Sequence, residues 1–211
     1  MPSSTEAGAF TRWAVVDEEI RDLGEAMPDE NTGSDSITIA IPVSQLISLP
    51  VLVPVDDRTV AEGVAMTELE DLGTRTPLTG SQISHAGYIP YSQNGTDPQR
   101  GWGYGLTVVP ALPEGEDIHY APSPLLLELP EDGVAIWKEF GQLVAAWTSE
   151  GHLRHCSPLS SGRPDSNLAH EIITITRRLS EDGHLGCWPM IRLFGSEVAD
   201  EADADFSRII T

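Results

Sequence analysis

The strongest constraint on the fold lies in residues 125–157, where short apolar runs alternate with compact turn signals: LLLELP, EDG, VAIWKE, FG, QLVAAWTS, EG and HLRHCS. Runs of this length, each closed by a Gly-containing turn, are the punctuation of an antiparallel meander. The turns fall at residues 131–133, Phe140-Gly141 and Glu150-Gly151. If the apolar face sets the register, Leu125, Leu127 and Leu129 bury against Ile136 and Trp147.

A polar loop, PLSSGRPDS, leads from the meander into SNLAHEIITITRRLSEDG, where Leu168, Ile172, Ile175 and Leu179 recur at helical spacing. Asp165 or Ser166 is placed to cap the start. Arg177 and Arg178 stand in the last turns, where cations offset the carbonyl end of the helix dipole. One further strand follows over residues 190–194, and then an acidic tail, EVADEADAD. Strand, strand, strand, helix, strand is a complete supersecondary pattern.

The amino-terminal half is less regular. Residues 10–16 read as a strand, 17–27 as a helical or turn segment closed by Pro28, and 29–36 as a polar loop with too little apolar surface to pack. Ile37, Ile39 and Ile41 alternate, but Ala40 between them is apolar too, so this strand is expected to be covered on both faces until Pro42 ends it. The stretch from Asp56 to Gly73 reads as a helix capped by Asp56 or Asp57, with Val60, Val64 and Leu72 beside Ala61, Ala65 and Leu69 as its apolar stripe and Gly73 as its stop. A short strand around 85–89 and a clearer one over 104–111 follow, with GWGYG (101–105) read as a turn at its start. Residues 112–124, rich in proline and acid, mark the best boundary between lobes. These readings give an α/β chain with α+β character and mixed sheets: an amino-terminal lobe, 1–118, and a carboxy-terminal lobe, 119–211, holding the meander.

Charge narrows the function. Twelve Lys plus Arg against 33 Asp plus Glu leave a formal net charge of −21, and the few arginines are dispersed, so no basic face for nucleic acid is expected. Apolar runs fall far short of the roughly 18–20 residues that span a bilayer, and the amino terminus lacks the basic start and apolar core of a secretory signal. Cys156 and Cys187, 31 positions apart, read as buried apolar thiols in a reducing compartment.

No coherent chemistry emerges. A phosphate-binding GxxxxGK[ST] motif is missing, and Lys138 is the chain's single lysine. GWGYG does not join a strand to a helix, the context that would place an anion at a helix amino terminus. His152, His155 and Cys156 suit zinc by type, but on a strand His152 and Cys156 share one face while His155 points away, and His170 or His184 would have to come from elsewhere. Glu131-Asp132 and Asp56-Asp57 are adjacent acids at a turn and a helix start, where solvation and capping are their ordinary roles. Ser160 and Ser161 lie in a loop with no held base and outside any GxSxG elbow. No catalytic, cofactor-binding or metal-binding residue is assigned.

Two stretches nonetheless resemble a known family. ITIAIPVSQLISLPVLVPVDDRTVAEGVAMTELEDLG, and LLLELPEDGVAIWKEFGQLVAAWTSEGHLRHCSPLSSGRPDSNLAHEIITITRRL, are similar in order and pattern to the cytoplasmic actin-like domains of the type II secretion L component and the type IV pilus M component. The resemblance spans about residues 37–195. It implies ribonuclease-H-like lobes and a non-catalytic scaffold at the inner face of the cytoplasmic membrane. It also implies membrane-platform partners, indirect contact with an assembly ATPase, and room for a homodimer. Some members bind ATP around an acidic residue followed by small and hydroxyl residues. Here Asp132 and Gly133 stand at that place, but Glu131 precedes them and Val134 and Ala135 replace the polar donors. A magnesium-dependent nucleotide-binding or phosphohydrolase protein is the alternative that this resemblance leaves open. The chain is shorter than the full family architecture, which continues its second sheet beyond Phe194, so a truncated chain, a cytoplasmic portion with its membrane segment absent, or a reduced relative is expected.

Overall fold

The computed structural model describes residues 10–16, 19–26, 37–53, 57–75, 86–91, 99–106, 118–186, 190–194 and 196–210. The expected loop 29–36, Asp56, residues 107–117 and Cys187 lie outside the described residues.

The meander is present, but it has three strands where the sequence suggested four. We label the strands of the carboxy-terminal half β8 (Gly133–Glu139), β9 (Gln142–Ser149) and β10 (His152–Pro158), and the helix after them α2 (Ser166–Glu181). A fourth strand, β11 (Met190–Leu193), completes a sheet of order β10-β9-β8-β11 in which β8, β9 and β10 are antiparallel and β11 is parallel to β8. Both hairpins use two-residue loops with positive φ at each position: 51° at Phe140 and 79° at Gly141, then 55° at Glu150 and 74° at Gly151. That geometry matches the right-handed twist of the flanking strands.

The expected first strand, LLLELP, is instead a 3₁₀ turn (Ser123–Leu126) followed by irregular chain. Leu125, Leu126 and Leu127 are 40 %, 50 % and 37 % exposed, so they do not bury against Ile136 and Trp147. The reason is competition for one face: Ile136 and Trp147 are already covered by Leu168, Ala169 and Ile172 of α2. Residues 131–133 therefore lead into β8 and form no hairpin turn.

Both faces of this sheet are buried, which is why VAIW and LVAAW read as continuous apolar runs. On one face Val134, Ile136, Leu143, Ala145 and Trp147 pack under α2 and two short helices, α3 (Ser196–Asp200) and α4 (Ala204–Ile210), which contribute Val198 and Phe206. The acidic tail is thus helical and anchored. Asp165 caps α2 by accepting from Leu168 N at 3.0 Å, and Trp147 Nε1 donates to Thr176 Oγ1 at 2.9 Å, so the buried indole keeps a partner.

The opposite face meets the amino-terminal half. The strands there are β1 (Phe10–Val16), β2 (Glu19–Ala26), β3 (Ile37–Ile41), β4 (Leu46–Val53), β5 (Ala86–Pro90), β6 (Gln99–Leu106) and β7 (Ile118–Pro122), with one helix, α1 (Arg58–Arg75). β1 and β2 form an antiparallel pair, correcting the helical or turn reading over the described residues 19–26; cross-strand hydrogen bonds outweigh the weak propensity of so short a helix. β3 pairs in parallel with β7, and β4, β6 and β5 form an antiparallel sheet. Ala135, Trp137, Val144, Ala146, Leu153 and Cys156 pack against Ile39, Ile41, Val43, Leu46, Tyr91 and Trp102.

GWGYG lies inside β6, so the turn reading is corrected and the strand begins earlier than residue 104. Its period-two alternation has a physical cause. Trp102 and Tyr104, stacked at 5.1 Å, face the shared core, while the glycines face the other way. A Cβ on Gly103 would stand 3.3 Å from Ala65 and 3.6 Å from Leu69 of α1, and one on Gly101 would fall 2.2 Å from the Tyr88 ring. Small residues here let the helix and a neighbouring ring lie directly on the strand. The buried stripe of α1 is Ala61, Ala65 and Leu69, whereas Val60 is 46 % exposed. Asp57 Oδ1 caps the helix by accepting from Thr59 N at 2.9 Å, and the helix continues past Gly73 to Arg75.

Candidate interaction surface

Residues 123–131 run as an arch from the end of β8 back to its start, tied down at both ends. At one end Ser123 Oγ donates to Glu139 Oε1. At the other, Thr148 Oγ1 donates to the Pro130 carbonyl at 2.7 Å and Gly151 N to the Glu131 carbonyl at 2.9 Å. Asp132 Oδ1 adds to this anchorage, accepting from Ser149 Oγ at 3.0 Å and Glu150 N at 2.9 Å. With its ends held, the middle of the arch presents Leu125, Leu126 and Leu127 to solvent.

β11 lies beside the arch at the end of its sheet. Ile191 and Leu193 pack towards the helices, while Met190, 66 % exposed, and Arg192 point out. An open cavity of about 520 Å³ is lined by Leu127, Leu129, Pro130 and Phe194, with Glu128, Glu131 and Arg192 as its charged groups. Among the described residues no strand pairs with the outer side of β11. An unpaired edge beside exposed leucines is a template for another chain. Gly133 fixes this arrangement, since a Cβ there would stand 2.7 Å from the Met190 carbonyl oxygen and 2.9 Å from Pro130 Cγ.

A second constellation holds the two halves together. Glu139 is 3 % exposed, and its carboxylate accepts from Val43 N at 2.7 Å, from Trp137 Nε1 at 3.0 Å and from Ser123 Oγ. Donors from three separate segments thus offset the desolvation of one carboxylate. Towards the other end of the sheet, a register shift between Leu153 and His155 accompanies Arg154, whose guanidinium stacks 3.9 Å from the Tyr91 ring centroid and donates to Glu150 Oε2 at 2.9 Å. Nothing in the sequence pointed to Glu139 or Arg154: a charged residue next to a hairpin turn ordinarily faces water.

The residues weighed for chemistry are dispersed. His152 lies 5.9 Å from the Tyr91 ring, and His155 lies 5.4 Å from Trp147. Burial, reinforced by Arg178 and His184, lowers the pKa of His155 to about 4. Cys156 is a free, buried thiol whose pKa burial pushes up to about 12, with Sγ 3.5 Å from Ser48 Oγ. His170 is exposed on α2. Among the described residues no group of three or more His, Cys, Asp or Glu is placed to hold a metal ion. Asp57 caps α1, and Asp132 is engaged by the turn after β9. Ser160 donates to Glu171 Oε2 at 2.6 Å, Ser161 donates to the Arg163 carbonyl at 2.8 Å, and Lys138 pairs with Glu201 at 2.7 Å. Among the described residues no helix is long and apolar enough to cross a membrane.

No family model and no curated protein matches the chain. Among solved structures it is similar to one titled the cytoplasmic domain of EpsL, an inner membrane component of the type II secretion system of Vibrio cholerae. The two are 13% identical with a TM-score of 0.49, over 100% of this chain and 90% of that one.

Proposed function

We propose that this protein is a non-catalytic scaffold component of a bacterial type II secretion or type IV pilus assembly platform, working on the cytoplasmic side through protein contacts. The observation that carries the reading is the order of the carboxy-terminal unit: three antiparallel strands, a helix, and a fourth strand laid parallel beside the first. That order fits the opening of a ribonuclease-H-like lobe, which the resemblance in residues 125–179 implies. In this reading 1–118 and 119–211 are the two lobes, with β7 reaching back to pair with β3. Two further features support contact over chemistry: the apolar edge at β11, and the commitment of Asp132 to hydrogen bonds within the fold.

The test is a binding titration of the purified chain against purified cytoplasmic portions of platform proteins from both systems. The reading expects a complex of micromolar affinity or tighter with a component of one system. No complex with any of them would refute it, and saturable magnesium-dependent ATP binding would favour the nucleotide-binding alternative.

A further inference from the structure

We propose that the outer edge of β11, with the leucine arch beside it, receives an extended strand from a second protein whose docking segment alternates apolar and basic residues. This inference rests on the scaffold reading and adds the place and the chemistry of the contact.

The backbone supplies the first part of the argument. β11 is four residues long and contains no proline, no lysine and no bulge; its shortness and the outward-pointing Arg192 are the only features among the described residues that discourage edge pairing. A strand laid beside it would gain main-chain hydrogen bonds independent of sequence, and alternate side chains of that strand would drop towards the cavity. The cavity floor of Leu127, Leu129, Pro130 and Phe194 asks those side chains to be aliphatic. Exposed Leu125, Leu126 and Met190 extend the same apolar surface.

Charge selects the partner. Glu128 and Glu131 stand at the rim, and among the described residues neither has an ion-pair partner; Arg192 offsets only one of them. A second copy of this chain would bring the same acidic rim and another −21 of net charge, so self-pairing meets repulsion at close and long range. A basic segment meets attraction at both ranges, because Glu128 and Glu131 line the cavity beside which it would lie.

The experiment uses the full chain and a fluorescent octapeptide of alternating valine and lysine, read by anisotropy and by amide exchange, with a valine–glutamate octapeptide as counterpart. The expected result is saturable binding of the lysine peptide with slowed exchange over 190–194. Leu127→Glu and the double change Glu128→Lys with Glu131→Lys, all at exposed positions, should each weaken it about tenfold or more. The double change should also reverse the preference towards the glutamate peptide, and Glu181→Lys on the remote end of α2 should leave binding within about twofold. No saturable binding, or binding indifferent to all three changes, would overturn the proposal. So would a concentration-dependent dimer abolished by Leu127→Glu, because it would assign the edge to a second copy. If a platform partner binds wild type and Leu127→Glu equally, this edge assignment fails while the scaffold reading survives; if no partner binds at all, the scaffold reading fails.

Discussion

Replacing Glu139 by glutamine removes a charge and one acceptor while keeping the side chain's shape, and the geometry of its three donors sets the cost. Oε2 serves Val43 N, and Oε1 serves both Trp137 Nε1 and Ser123 Oγ. Glutamine has a single acceptor oxygen. Turned towards Val43 it confronts the Trp137 N–H with its own NH₂; turned towards Trp137 it confronts the Val43 amide. The Ser123 hydroxyl can rotate to accept, but neither backbone amide nor indole can. One buried donor is therefore orphaned in either orientation, at about 1–3 kcal/mol, and the surviving bonds lose their charge assistance. We expect Glu139→Gln to lower the urea-unfolding free energy by about 2–3 kcal/mol, and Glu139→Ala, which orphans all three donors, by more. Amide exchange localises the effect: Val43 should exchange about thirtyfold faster in Glu139→Gln if the loss appears as local opening. An unfolding free energy within about 0.5 kcal/mol of wild type would refute the claim that this carboxylate ties the halves together.

Other outcomes depend on the same packing. Gly101→Val should destabilise the fold by about 1–3 kcal/mol, because its side chain enters the Tyr88 ring, and thermal unfolding midpoints will register it. In a Cys187→Ser background, the Cys156 thiol should resist a thiol reagent at mild alkaline pH until the protein unfolds, since burial holds its pKa at about 12. His155 has a folded pKa of about 4, below its ordinary 6.5, so the unfolded chain binds more protons between those values. Stability should therefore fall as pH drops from 6.5 towards 4, and His155→Leu should flatten that part of the profile in urea midpoints; an unchanged slope would contradict the assignment.

What the sequence disclosed tracks the strength of its local signals. β8, β9, β10, α2 and β11 were legible because two-residue turns, helical spacing and an Asp cap each act within a few residues, and they agree with one another. LLLELP misled because apolar content alone does not decide which of two claimants covers Ile136 and Trp147, and α2 holds that face. GWGYG carried its answer in the alternation of glycine with aromatic residues, visible once the period is weighed above the glycine count. The candidate surface was not legible, because its leucines read as a buried strand. Their exposure depends on bonds from Glu139 and Thr148 that fasten the arch from elsewhere in the chain. Glu139 gave no signal, since long-range donors such as Val43 N cannot be read from residue type.

The most direct measurement is amide exchange across the whole chain, with and without purified platform proteins and, separately, with magnesium and ATP. Slowed exchange along 190–194 and 123–131 on adding a platform protein, with no change on adding nucleotide, is the result predicted. Protection by magnesium and ATP around Asp132 and Gly133, with the β11 edge unaffected by every protein tested, would contradict it.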